Sequence, residues 1–236
     1  MVLVALLLSS CLPTGPSDLY RDGCVHVRDH GAIGDGIADD TEAVQQAIFA
    51  AMNGTRMVHV SGWHNDQTGP DVCFSPGDYL VTQTLNFTHS FAKPSGCAPS
   101  VRGLGGAVLR MNSSGADILR VPNAWYWRAS GLTFVGGHHQ LHLSNNNTDE
   151  GQIVIEKCAF HASTGAAIFT ARPTPGPMPA GVLRERGSFS TQITVRDAKF
   201  IGCNQALVNW GDWTTVSDAW RDPHHHHHHH THTPSL

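Results

Sequence analysis

The chain has 236 residues, of which 40% are hydrophobic and only 14% charged, with a formal net charge of −4. That is length for one sizeable core or two small ones, and too apolar for a chain disordered throughout. The absence of a basic excess excludes an ordinary nucleic-acid-binding surface. Of the 17 His, eight lie at His224–His230 and His232, so the His surplus describes a tail and not a fold.

The chain opens with MVLVALLLSSCL, in which Val2–Leu8 is unbroken apolar sequence followed by small residues. This reads as a secretory signal over residues 1–16, although no Lys or Arg precedes the apolar run. The run is far shorter than the roughly 20 residues a bilayer core requires, so a membrane-spanning helix is not expected. Leu8-Ser9-Ser10-Cys11 also matches a bacterial lipoprotein box, with Cys11 as the lipid acceptor. Four sequons, at Asn53, Asn86, Asn112 and Asn146, are glycosylation candidates and favour a eukaryotic secretory route instead.

Val25 and Val27 alternate with polar residues, as in a short strand. Gly31, Gly34 and Gly36 then interrupt regular structure. Asp39 and Glu42 have the spacing of a capping box, and Val44, Ala47, Ile48 and Ala51 form one helical stripe that Gly54 ends. Asp39, Asp40 and Glu42 are therefore expected to cap a helix. A calcium site at Asp35, Asp39 and Asp40 is a second reading, and a phosphate loop at Gly34 and Gly36 a third, which Asp35 disfavours.

Six Cys are present and no CxxC pair exists, so neither a zinc ribbon nor a thioredoxin-like centre is supported. Removal of Cys11 with the leader would leave an odd number. Cys73 and Cys97 flank a turn-rich segment and are the candidate disulfide.

The phrase RDHGAIGDGIADDTEAVQQAI, followed by CFSPGDYLVTQTL from Cys73 to Leu85, resembles the pectate lyase superfamily. More narrowly it resembles the rhamnogalacturonase/epimerase-like pectate-lyase domain. The resemblance covers about residues 24–210, by motif to residue 110 and by pattern afterwards. It implies an all-β fold, a right-handed parallel β-helix whose N-terminal end is covered by an amphipathic helix. It also implies a polysaccharide partner and cleavage of pectin-like or β-glucan chains, by hydrolysis or elimination. The rival is a non-catalytic glycan-binding or tailspike-like β-helix. Catalytic groups in this family lie on one parallel sheet in the central coils, facing a groove. No cofactor is evident, and Ca²⁺ would accompany a lyase.

A coil-length repeat supports the fold independently. Trp127-x-Ala129-x-x-Leu132-x-Phe134 recurs as Ile153-x-Ile155-x-x-Cys158-x-Phe160 after 26 residues, and as Ile193-x-Val195-x-x-Ala198-x-Phe200 after a further 40. Leu141 and Leu143 fall on Ala167 and Phe169, then on Leu207 and Asn209. Arg172–Gly187, rich in Pro and Gly, reads as an insertion. Stacking places Phe134, Phe160 and Phe200 in one internal column, about 4.8 Å apart per coil. It also sets Glu156 beside Arg196 and Lys157 beside Asp197. An antiparallel sandwich has similarly short strands but does not explain the repeat.

No polygalacturonase-type acid pair is visible, and Gly136-Gly137-His138-His139 is not that family's Gly-His-Gly motif. Asp149 and Glu150 are the one adjacent acid pair in the coils, within a turn-like stretch. His138, His139 and His142 are further groove candidates. Arg102, Arg110, Arg120 and Arg128 recur every 8 to 10 residues and either meet an anionic polysaccharide or sit on turns. Residues 1–100 carry net −6 and residues 101–236 net +2. The coil pattern is expected to fade near Trp210, before a disordered His-rich tail over residues 222–236, which suggests a fragment. Nothing in the sequence selects a metal site or an oligomeric state.

Overall fold

The computed structural model describes residues 21–54, 56–60, 64–87, 98–121, 127–144, 151–171, 191–209 and 213–221. The first coil holds β1 (Cys24–His26) and β2 (Asp35–Asp39), followed by helix α1 (Thr41–Gly54). An antiparallel pair, β3 (Arg56–Val60) and β4 (His64–Thr68), follows. The second coil holds β5 (Asp71–Phe74), β6 (Gly77–Val81) and β7 (Leu85–Asn86). The third holds β8 (Val101–Met111) and β9 (Leu119–Val121), and the fourth β10 (Arg128–Gly136) and β11 (Leu141–Ser144). The fifth holds β12 (Gly151–Glu156), β13 (Ala159–His161) and β14 (Ala166–Ala171). The sixth holds β15 (Thr191–Arg196), β16 (Lys199–Ile201) and β17 (Gln205–Val208). A last rung holds β18 (Trp213–Ser217) and β19 (Trp220–Arg221).

Strands of successive coils pair in parallel, which makes the chain a parallel β-helix. A 12-stranded sheet bends to give two faces, and a 5-stranded sheet, β7-β9-β11-β14-β17, gives the third. The interior is three columns of apolar residues set by the register. On the first face Val25, Val72, Val101, Ala129, Ile155, Val195 and Val216 succeed one another. On the second the order is Tyr79, Leu109, Phe134, Phe160, Phe200. On the third it is Leu85, Leu119, Leu141, Ile168, Leu207. The Phe column forms as the repeat requires: ring centroids are 5.2 Å and 5.1 Å apart, with planes tilted by only 7° and 9°. Such burial and stacking is the main stabilising term of a solenoid, since each coil covers its neighbour.

From the fourth coil on, the corner between the first two faces is a single left-handed residue in each coil. Gly131 has φ 66°, Lys157 53°, Asp197 50° and Asp218 52°. Each lies three residues before the Phe-column position, at Phe134, Phe160, Phe200 and Arg221.

The N-terminal end is covered by α1, whose Val44, Ala47, Ile48 and Ala51 are fully buried. The Asp40 carbonyl accepts from the Val44 N–H, which makes Asp40 the first capping position. Its buried carboxylate turns back to accept from the N–H groups of Ile33 (2.6 Å) and Gly34 (3.0 Å), pinning the Gly-rich turn. Asp39 accepts from the Thr41 N–H at 3.0 Å and the Thr82 hydroxyl at 2.8 Å, and Asp35 from the N–H groups of Ile37 and Ala38. Glu42 lies in the first turn. Gln45 donates to the Asn86 carbonyl and accepts from its N–H, both at 2.8 Å, so a side-chain amide closes the open edge of the third face.

Several expectations need correction. The disulfide is Cys24–Cys73, with a Cα separation of 5.6 Å, and not Cys73–Cys97; Cys97 lies outside the described residues. In parallel coils the nearest neighbours are one coil apart, here 49 residues, and not across a local turn. Cys158 and Cys203 are free and buried, and burial pushes the Cys158 thiol up to about 11. On the third face Leu141 pairs with Ile168, not Ala167, and Phe169 with His142, not Leu143. The turn into β14 is one residue longer than its neighbours, because Phe160 to Ile168 spans eight residues where Phe134 to Leu141 and Phe200 to Leu207 span seven. Arg196 grips Glu156 from the next coil, but no ion pair joins Lys157 to Asp197 at the stacked corners. Pairing also continues past Trp210, since β18 and β19 add a rung on β15 and β16. Its residues 214–220 are exposed, so the inward apolar signature is lost there. The leader, the 172–187 segment and the His tail lie outside the described residues.

Candidate functional site

The third face presents an outward row between its buried columns: Asn86, Arg120, His142, Phe169 and Val208, in register from coil to coil. Period-2 alternation produces it, because Leu119, Leu141 and Leu143 point inward and leave Arg120 and His142 outside. The turn at 115–118 supplies a carboxylate beside this row. Asp117 Oδ2 lies 2.6 Å from His142 Nδ1, and Asp117 Oδ1 accepts from the His139 N–H at 3.1 Å. The Asp117 contact places the proton of neutral His142 on Nδ1 and leaves Nε2 as the basic nitrogen.

Around this pair the rings form a contiguous cluster. His139 stacks on Phe169 with centroids 4.3 Å apart and planes within 6°. His142 meets Phe169 edge-on at 5.1 Å, and His138 lies 4.2 Å from His139. His138 Nδ1 is 3.4 Å from the Thr164 hydroxyl, which donates to the Ser114 carbonyl at 2.6 Å. Gly165 runs beneath the rings: a Cβ there would lie 2.8 Å from both His138 and His139. The site therefore requires glycine for space, not for backbone freedom.

The electrostatics separate the roles. Burial pushes the Asp117 carboxyl up, but the hydrogen bonds from His142 and the His139 N–H outweigh it and hold the group below its ordinary value. Asp117 is thus a fixed anion near neutral pH. Burial also lowers His139, opposed by Asp117 and reinforced by His138 and His142, so its imidazole stays neutral. The four regularly spaced arginines sit on strands β8, β9 and β10 and not on turns. Arg102 pairs with Asp71 at 3.5 Å, Arg110 forks onto Asp78, and Arg128 approaches Glu156 at 3.8 Å. Arg120 is exposed on the row, and among the described residues no carboxylate lies within ion-pair distance of it.

Of the groove candidates, His138, His139 and His142 enter this cluster, while Asp149 and Glu150 lie outside the described residues, as does Asn146. Asn53 and Asn112 are exposed, and Asn86 opens the outward row with its amide donating to the Thr84 carbonyl. Asp117 and Phe169 were not singled out by sequence. Asp117 directly precedes Ile118 and Leu119, so aligning the third face before searching for acids would have found it. Among the described residues no group of three His, Cys, Asp or Glu is placed to hold a metal ion. Both carboxylate oxygens of Asp39 and Asp40, and Oδ1 of Asp35, accept from N–H or O–H donors, and the three residues form no group placed to hold calcium. No helix among them is long and apolar enough to cross a membrane.

Among curated proteins, the chain is 39% identical over 66 residues to the plasmin and fibronectin-binding protein A of Streptococcus pneumoniae, covering 28% of this chain and 8% of that one. Among solved structures it resembles ORF18 of Geobacillus virus E2 (TM-score 0.41, 15% identity, 83% of this chain, 48% of that chain). It also resembles PfbA, a surface adhesin of Streptococcus pneumoniae (0.38, 16%, 82% and 48%). A third is the catalytic unit of a thermostable α-1,3-glucanase from Streptomyces thermodiastaticus (0.39, 16%, 84% and 41%). The chain therefore spans about half the length of these solved structures or less. A family model described as rhamnogalacturonase A/epimerase, pectate lyase-like, matches residues 24–167, more than half of the chain. The chain belongs to this pectate lyase-like family.

Proposed function

We propose that the protein is a secreted, carbohydrate-active β-helix that engages a pectin-like polysaccharide along the outward row of its third face and cleaves it by elimination. The observation that supports this reading is His142, held by Asp117 at 2.6 Å and flanked on the neighbouring coil by the exposed Arg120. Glycoside hydrolysis needs two carboxyl groups roughly 5–10 Å apart, one of them protonated. Asp117 is ionised and its oxygens are occupied, so it does not serve as that acid. Elimination needs one base and a cation beside an acidic sugar. His142 Nε2 takes the proton from the carbon next to the uronate carboxyl group, and those electrons form a carbon–carbon double bond. The bond to the leaving oxygen breaks, and the imidazolium returns the proton to that oxygen, so no water is consumed. Arg120 neutralises the carboxylate and so acidifies that carbon, which favours a pectin-like chain over a neutral β-glucan. Ca²⁺ often accompanies such chemistry in this family, but the residues described here form no site for it and no step depends on it.

A second reading is a non-catalytic glycan binder, favoured by the ring surface of Phe169 and His139 on the same row. Assays of the full chain on polygalacturonate and laminarin, read by reducing ends and by ultraviolet absorbance of unsaturated products, separate the two. Turnover on polygalacturonate that falls by about 10²–10⁴-fold in His142→Ala is the expected result. Binding without any product supports the binder and sinks the elimination reading.

A further inference from the structure

We infer that His139 is a positioning residue whose neutral imidazole replaces a missing backbone partner and thereby holds the Asp117–His142 pair in place. This deepens the elimination reading and rests on it for the role of His142. Between the fourth and fifth coils, Thr164 N–H donates to the Gly137 carbonyl and Gly165 N–H to the His138 carbonyl. The next amide, Ala166 N–H, breaks the series and donates to His139 Nδ1 at 3.0 Å. On the other side, Asn204 N–H meets the Ser163 carbonyl and Gln205 N–H the Gly165 carbonyl, passing over Thr164. Thr164 is therefore the extra residue that lengthens this turn. Its bulge strands one buried N–H, and a buried amide without a partner is costly.

The imidazole that fills the gap also fixes its own protonation. An amide N–H can only donate, so Nδ1 carries the lone pair and the ring proton sits on Nε2. The same residue binds Asp117 Oδ1 through its backbone N–H and stacks on Phe169. His139 thus ties the turn that carries Asp117 to the strand that carries Phe169, with His142 between them. The titratable groups facing it are Asp117, His138 and His142; the residues that β14 and its turn present to it, Gly165, Ala166 and Phe169, carry no charge. Protonation at Nδ1 would remove the acceptor from Ala166. The folded-state value of His139 lies below its ordinary 6.5, so this contribution is complete above that pH and is lost as pH falls through the lowered value.

The test is nitrogen-15 NMR of the full chain across a pH titration, with amide exchange measured at Ala166. The expected result is an unprotonated Nδ1 in neutral His139 and an Ala166 amide whose shift titrates with that ring. His139→Ala should speed Ala166 exchange about tenfold, the loss of one net hydrogen bond. His139→Asn, whose Oδ1 reaches the Nδ1 position, should restore most of the protection and remove its pH dependence. A proton on Nδ1 in the neutral wild-type ring overturns the inference, as does equal Ala166 exchange in wild type and His139→Ala. The wild-type titration decides the matter even if the alanine variant fails to fold. None of these readouts requires turnover, so an inactive protein would refute the elimination reading and leave the pin in place. In an active protein, His139→Ala should lower kcat more than it raises KM and shift the acid limb of the pH profile, with His139→Asn recovering kcat.

Discussion

The Phe column and the His cluster occupy overlapping coils, yet they are built on opposite terms. Inside, Phe134, Phe160 and Phe200 repeat one chemistry in one register, and Phe160 stacks on a copy of itself on each side. Outside, Asp117, His139, His142 and Phe169 are four positions with no copies, held by unlike partners across a turn that is one residue out of step. The difference shows how a solenoid divides its work. Repetition supplies cohesion, and a local departure from repetition creates a place where unlike groups meet.

Substitutions can break that contrast. Phe160→Ala removes the middle ring of the stack and should cost about 3–5 kcal/mol in chemical denaturation, the largest effect here. Replacing Cys24 and Cys73 together by Ser frees β1 from β5 and should cost about 2–4 kcal/mol, read as a lower unfolding midpoint. Asp117→Asn should cost only about 1–2 kcal/mol, since the pair is partly exposed to solvent, but it should damage turnover far more than either core change. It also changes the pH dependence. The lowered Asp117 value means its stabilisation is present above the ordinary 3.8 and lost as pH falls through the folded value, so wild type should lose a stability increment on acidification that Asp117→Asn lacks. Combining Phe160→Ala with Asp117→Asn should be additive within about 0.5 kcal/mol if the two regions are independent. Arg196→Ala should be the smallest, about 0.2–1 kcal/mol and weaker in salt, because that arginine is half exposed where it meets Glu156.

The division also explains what could be read from the sequence. The two N-terminal motifs and the Trp127, Ile153 and Ile193 phrases specified the fold, the helix stripe and the internal register, because stacking forces equivalent residues to recur. The disulfide was not legible, because pairing Cys24 with Cys73 requires knowing which coil lies on which. On the third face, Ala166-Ala167-Ile168 offers neighbouring apolar candidates for one inward position, and the lengthened turn selects Ile168. That single step moved Phe169 from an inward to an outward place and kept the aromatic surface out of view. His138 and His139 stood out by residue type alone, whereas Asp117 lies on a turn outside the repeating phrase. Arg120 resembled its spaced neighbours until the structure assigned acidic partners to the others.

The left-handed corner at Gly131, Lys157, Asp197 and Asp218 has a consequence for how such a molecule can change. Three non-glycine residues accept a backbone that costs each roughly 1–2 kcal/mol, and across these four corners the spacing to the next column position is the same. From the fourth coil on, the corner acts as a fixed hinge line that keeps the coils the same width; in the third coil the same corner carries the extra residues Gly103 to Gly106. In these later coils, variation in chain length falls instead beside the third face. Ser144 to Gly151, Ala171 to Thr191 and Val208 to Trp213 are unequal spans, and the turn at Thr164 gains one residue. Lineages of this architecture can therefore lengthen, shorten and re-equip the third side of these coils without disturbing the other two. Divergence in ligand choice becomes cheap on that side, while the scaffold that carries it stays recognisable.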